Sequence, residues 1–182
     1  MRLFVAITPP AQVLDEVAGT AGGLCSAAGE LRWSSRDDWH LTLLFLGEVA
    51  QDDLPGLREH LAEEAARHAR PRLAVRGAGT FPGDDTRAGV LWAGIEGDLD
   101  GLGALAAGLR KAARTAGFGV ERRAYVPHLT LARSRRPTDM STVRAALSQL
   151  TTCFWTVDDV HLMHSRPGGE PRYTTVATWR LS

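Results

Sequence analysis

Apolar and polar positions along the chain fall into short strand-like runs and helical stripes. Leu3-Phe4-Val5-Ala6-Ile7 is a continuous apolar run of strand length. Thr8 followed by Pro9 predicts a helix start, with the hydroxyl as cap and proline at the first helical position. Val13, Leu14, Val17, Ala21 and Leu24 then recur at helical spacing, and Gly22-Gly23 predicts that the helix ends there. Leu31-Arg32-Trp33 reads as short and extended, Asp37-Asp38 as a turn, and Trp39 to Leu46 as a strand closed by Gly47, with Leu41, Leu43 and Phe45 as its apolar face. Asp52 or Asp53 caps a second helix with the stripe Leu54, Leu57, Leu61 and Ala65, and Pro71 marks its exit. Strands are predicted over Arg72 to Ala78 and Val90 to Ile95, joined through the turn formers of 79–85. A third helix starts at Asp98 or Asp100, buries Leu102, Leu105, Leu109 and Ala112, and stops at Gly117. Pro127 opens another strand, Thr138 caps a fourth helix carrying Val143, Leu147 and Leu150, and Phe154 to Met163 with Tyr173 to Leu181 form a closing hairpin. Strands adjacent to strands predict largely antiparallel sheets, hence an α+β fold.

Within this order one tetrapeptide is written twice, as His40-Leu41-Thr42-Leu43 and His128-Leu129-Thr130-Leu131. In an extended strand the histidine and threonine of each copy share one face and the two leucines the other. Each copy offers an imidazole and a hydroxyl on a polar face with an apolar back to anchor it. The copies are 128 − 40 = 88 residues apart, close to half of the 182-residue chain. That spacing predicts two similar lobes, each lending one strand to a shared cleft, in which facing imidazoles form an acid/base pair. A single histidine on a strand is ordinarily a satisfied structural residue. Its repetition beside threonine calls for more, since burying such groups without partners costs about 1–3 kcal/mol each.

Composition narrows the classes. Hydrophobic residues at 44% and charged residues at 23% fit one folded domain, and the formal net charge of zero removes any global electrostatic case for a nucleic-acid partner. Locally the balance differs: between Arg110 and Arg136 there are eight basic residues against Glu121 alone, and they bracket the second tetrapeptide. Cys25 and Cys153 stand apart, without the spacing of a thiolate metal site or a disulfide framework. Pro9-Pro10 ends the first apolar run short of a signal peptide's apolar region, and no segment is long enough to span a membrane, so the cytoplasm is the expected compartment. Neither a heptad pattern nor an apolar excess calls for a second subunit, and a monomer is expected.

These residues resemble the two-histidine phosphoesterases, specifically the bacterial and archaeal RNA 2′,3′-cyclic phosphodiesterases also described as LigT-like or 2′-5′ RNA ligases. Arg2 to Ile7 resembles the family's opening strand. Arg32-Trp33 with Trp39 to Glu48 resembles its first signature, and Pro127 to Arg133 its second, including the closing arginine. Gly79 to Pro82 and Val90 to Trp92 are similar to its middle section, and Ser165 and Tyr173 sit about a turn where the family has a serine and a tyrosine. The resemblance implies a bilobal α+β fold, a central groove, and hydrolysis of RNA 2′,3′-cyclic ends without metal or other cofactor. It implies His40 as proton donor to the leaving 3′ oxygen and His128 as the base that activates water, leaving a 2′-phosphate. Thr42 and Thr130 would then donate to the non-bridging oxygens and Arg133 would neutralise charge on phosphorus. Trp33, Trp39, Phe45 and Tyr173 are the candidates for stacking on a base.

Two competing readings belong to other classes. A metal hydrolase would add His161, His164, Asp37 or Asp38 to the motif histidines, but His161 and His164 at i and i+3 point to opposite faces of a strand. A non-catalytic RNA-binding module would use the basic run and the aromatics and bind cyclic-phosphate RNA without turnover. Ligation of 5′-hydroxyl and cyclic ends, or action on other cyclic or 2′,5′-linked nucleotides, would employ the same residues.

Overall fold

A computed structural model describes all of residues 1–182. Its elements are β1 (Arg2–Ile7), α1 (Ala11–Ala27), β2 (Arg32–Trp33), β3 (Leu41–Glu48), α2 (Leu54–Ala65), β4 (Arg72–Phe81), β5 (Ala88–Gly97), α3 (Leu99–Thr115), β6 (His128–Thr138), α4 (Ser141–Ala146), β7 (Trp155–Thr156), β8 (Asp159–Ser165) and β9 (Tyr173–Arg180). The strands run in the order β7-β4-β5-β6-β3-β1-β8-β9, with β2 also on β6, and every pairing is antiparallel. The fold is therefore the bilobal α+β arrangement expected. No helix is long and apolar enough to cross a membrane.

The sheet is nearly divided at its centre, where β3 and β6 share the single register pair Leu41↔Leu129. One half is β3-β1-β8-β9, the other β6-β5-β4-β7. The 88-residue spacing of the tetrapeptides runs through both halves: α1 spans 11–27 and α3 spans 99–115, so each end of α3 lies 88 residues beyond the matching end of α1. In the same way β1 corresponds to β5 and β3 to β6. The two long helices are exchanged between halves. The α1 helix follows β1 of the first half but packs toward β4 of the second, and α3 follows β5 of the second half but packs on β3 of the first. Shared packing of this kind gives one contiguous core, in which Leu41, Leu43, Leu129 and Leu131 are each at most 1% exposed. Burying a leucine fully contributes about 1.5–3 kcal/mol, so these four side chains fasten the two motif strands from behind.

Several element ends differ from expectation. The α1 helix starts at Ala11, with Pro10 as its cap in extended geometry and no side-chain capping bond. Thr8 cannot cap it, because a proline excludes helical geometry from the residue before it, and the second of two prolines excludes it from Pro9. Nor do Gly22-Gly23 end the helix, which continues to Ala27 while Leu24 packs against the core. Strand β4 includes Gly79-Thr80-Phe81, after a register shift between Val75 and Ala78 at which Gly77 takes φ +64°. Thr138 is the last residue of β6. The turn into α4 is fixed instead by Asp139, whose carboxylate accepts from the Ser141 N–H at 2.9 Å. Phe154 to Met163 is two strands, because the chain there leaves β4's side of the sheet and joins β1's. Asp98 does cap α3, accepting from the Gly101 N–H at 2.9 Å.

Candidate active site

The single pair Leu41↔Leu129 positions everything around it. In a regular ladder, that register continued one step either way would set His40 across from Thr130 and Thr42 across from His128. The two histidines would then be diagonal neighbours, with backbones on the order of 7–8 Å apart. Because Leu41 and Leu129 face the core, the histidines and threonines face away from it, into a groove of about 580 Å³. His40, His128, Thr42, Thr130 and Arg133 all line this groove, as do Phe45 and Tyr173.

Each imidazole is held the same way. His40 Nδ1 lies 2.7 Å from the Asp38 carbonyl and His128 Nδ1 lies 2.7 Å from the Val126 carbonyl, two residues earlier in both cases. A carbonyl can only accept, so Nδ1 carries the proton on both rings and donates it. The free position for chemistry is therefore Nε2, whose proton is present or absent according to ring charge. Aromatic walls fix the rings sideways. His40 stands edge-on to Tyr173 at 5.0 Å between centroids and beside Phe4 at 4.9 Å, while His128 stands edge-on to Phe81 at 4.9 Å and beside Trp92 at 6.0 Å. Phe4 and Trp92 are themselves 88 residues apart, the two halves supplying equivalent supports. Trp92 packs over its strand partner Gly79, where an added Cβ would overlap the indole.

Beyond the threonines each strand has an irregularity that strict alternation does not predict. The register of β1 with β3 shifts after Ala6↔Thr42, and that of β5 with β6 shifts after Trp92↔Thr130. An extra residue in a strand reverses the facing of those that follow. Leu43 and Leu44 are both buried as a result, as are Leu131 and Ala132. Phe45 consequently leaves the apolar face assigned to it and stands 60% exposed in the groove. Arg133, five residues after His128, would have pointed away from His128 in a regular strand, and the bulge turns it toward the groove. Phe45 and Arg133 are equivalent positions, one half giving a ring and the other a guanidinium.

The groove is electropositive. Arg2, Arg133 and Arg172 line it with Asp38, and none of the three arginines is taken up in an ion pair. Burial holds the His40 imidazolium below its ordinary pKa. The Asp38 carbonyl and carboxylate oppose that shift, while the charges of Arg172 and His128 add to it. Burial also lowers His128, opposed by the Val126 carbonyl bond and reinforced by Arg133. Arg172 was not foreseen from the sequence, although it adjoins Tyr173 and lies over that ring at 5.2 Å. Arg2 and Ser34 were likewise outside the predicted set, and Asp38 stood in it only as a metal ligand of the competing hydrolase reading. Trp33 and Trp39 do not line the groove: Trp33 donates its indole N–H to the Ala28 carbonyl at 3.2 Å, and Trp39 is only 5% exposed. His161 bonds the Thr178 hydroxyl at 3.0 Å and lines another cavity, away from the motif histidines.

A family model described as the 2′-5′ RNA ligase superfamily matches residues 9–169. The chain belongs to that superfamily. Within it, a Thermus thermophilus protein named RNA 2′,3′-cyclic phosphodiesterase is 32% identical, aligned over 100% of this chain and 90% of its own length. A Geobacillus stearothermophilus protein of the same name is 29% identical over 98% of this chain, which spans 56% of that relative's length. Among solved structures, a Thermus thermophilus protein superposes with a TM-score of 0.79 at 27% identity, covering 99% of this chain and 97% of that one. Escherichia coli LigT, crystallised with 3′-AMP, gives 0.77 at 28% identity, covering 100% and 98%. The superfamily's fold thus extends over the whole of this chain.

Proposed function

We propose that the protein hydrolyses the 2′,3′-cyclic phosphodiester at an RNA end to a 2′-phosphomonoester, using two histidines and no metal ion. The observation that carries the reading is the mirrored pair of Nδ1-to-carbonyl bonds, which leaves two Nε2 atoms free at one electropositive groove. The names of the relatives point to the same substrate.

In the proposed reaction, neutral His128 accepts a proton at Nε2 from a water molecule as its oxygen attacks phosphorus. The bond from phosphorus to the 3′ oxygen breaks, and protonated His40 gives its Nε2 proton to that oxygen. The product has a free 3′-hydroxyl and a 2′-phosphate, and the two rings have exchanged charge states. Proton transfer at each end contributes typically about 10²–10⁴ in rate. Thr42 and Thr130 donate hydrogen bonds to the non-bridging oxygens, and Arg133, with its fork of donors, stabilises the charge gathering there. Phe45 and Tyr173 offer faces to the terminal base. With a ribose 5′-hydroxyl in place of water as the nucleophile, the same displacement of the 3′ oxygen would join RNA ends through a 2′-5′ link, the reaction in the superfamily's name.

The deciding experiment incubates the protein with a dinucleotide bearing a 2′,3′-cyclic phosphate in the presence of a strong chelator and separates the products. Conversion to the 2′-phosphate is expected. A 3′-phosphate product would make the 2′ oxygen the leaving group and overturn the placing of the 3′ oxygen at His40, and binding without turnover would leave an RNA-binding module.

A further inference from the structure

The basic run from Arg110 to Arg136 takes little part in the chemistry above. It leads into a second cavity, of about 800 Å³, which opens off the groove: Thr42, Phe45 and His128 line both. Arg87, Arg110, Arg123, Arg135 and Arg136 stand along it against one carboxylate, Glu121, which is engaged by Arg123 at 2.9 Å. Arg87, Arg135 and Arg136 form no ion pair. Between these cations the lining is apolar and aromatic, including Val90, Val120, Phe81 and Tyr125. The junction with the groove is braced. Tyr125 donates its hydroxyl proton to the Thr42 carbonyl at 3.0 Å, and Arg110 lies over the Tyr125 ring at 5.3 Å while donating to the Arg123 carbonyl at 3.1 Å.

From this arrangement we infer that the second cavity is the path of the RNA strand leading away from the cyclic end, so that the preferred substrate is a single-stranded oligonucleotide rather than a cyclic mononucleotide. The inference rests on the cyclic-phosphodiesterase reading and extends it. Cations spaced along an apolar floor fit a polymer that alternates phosphates with flat bases. Continuity through Thr42, Phe45 and His128 means that a strand whose terminal phosphate lies between the histidines has its next phosphates within this trough. Phe45, exposed at the junction, can stack on a base inside the strand only where that base is unpaired, since a duplex keeps its interior base faces covered.

The test compares kcat/KM for a 2′,3′-cyclic mononucleotide and a cyclic-ended pentanucleotide, with the protein and its R135A/R136A variant, between 50 and 200 mM salt. Both arginines are exposed, and an unchanged thermal midpoint verifies that the variant is folded. The protein is expected to favour the pentanucleotide by about tenfold or more. That preference should weaken with salt, at a slope of about −0.7 per phosphate contacted. In the variant the ratio of the two kcat/KM values falls toward one, and the slope loses about 1.4 if each arginine meets one phosphate. Equal kcat/KM for both substrates overturns the inference and leaves the phosphodiesterase reading intact, as does a preference that the variant retains. Turnover of neither substrate removes that reading, and the inference with it.

Discussion

Replacing the two imidazoles singly and together separates the chemistry from the fold. His128→Gln removes proton transfer and the aromatic contacts with Phe81 and Trp92, and His40→Gln does the same beside Phe4 and Tyr173. An aromatic pair contributes about 0.5–1.5 kcal/mol and each variant loses two, so either should lose about 1–3 kcal/mol of stability, inside the 5–15 kcal/mol typical of a folded domain. The catalytic loss should be larger, about 10²–10⁴ in kcat for each, equivalent to roughly 2.7–5.5 kcal/mol of transition-state stabilisation. If both protons move in one displacement at one phosphorus, the second replacement takes away little that the first has left. The double variant should then be about as slow as the slower single one. Independent roles would multiply instead, toward about 10⁴–10⁸. The measurement is single-turnover hydrolysis of a cyclic-ended dinucleotide, alongside denaturant unfolding to show that each variant is folded. A loss below tenfold in either single variant, or multiplicative losses in the double, would refute the pairing.

Other outcomes follow from the same geometry. Because burial lowers both histidines, the bell-shaped profile of kcat/KM should peak on the acid side of 6.5, the ordinary imidazole value, and a monotonic profile would argue against two titrating partners. Arg172→Gln removes a cation that holds His40 down and Arg133→Gln one that holds His128 down, so each should move one limb to higher pH. A profile that stays put in both would mean that neither arginine faces its ring. Gly79→Ala pushes a methyl group into Trp92 and should cost about 1–3 kcal/mol of stability, with kcat falling more than KM changes; wild-type kcat would show that Trp92 does not support His128. Phe45→Ala, at a position already 60% exposed, should leave the unfolding midpoint unchanged and raise KM by about 5–150-fold, as expected for loss of a stacked base.

The motif strands were legible because period-two alternation and a repeated tetrapeptide carry their own geometry: buried leucines at 41, 43, 129 and 131 fix where His40, Thr42, His128 and Thr130 must point. Facing beyond Thr42 and Thr130 was not legible. Both bulges arise from pairing with β1 and β5, a relation between distant segments, and alternation within one strand placed Phe45 on the wrong face. The hold on each histidine was hidden for a similar reason, since Asp38 and Val126 contribute carbonyls that any residue would supply. Arg172 escaped notice because it belongs to a turn joining β8 to β9, and its approach to His40 depends on where that hairpin lands. Two consecutive prolines did carry the start of α1, but only through the restriction each places on the residue before it.

The exchange of α1 and α3 bears on how the molecule can be taken apart. A chain cut in the loop between α2 and β4 would yield a front fragment whose long helix has lost the surface it covers, and a rear fragment whose long helix has lost its own. Neither piece should fold by itself, yet each carries what the other lacks. Mixed in equal amounts, they should reassemble and recover activity, each fragment bringing one of the two histidines.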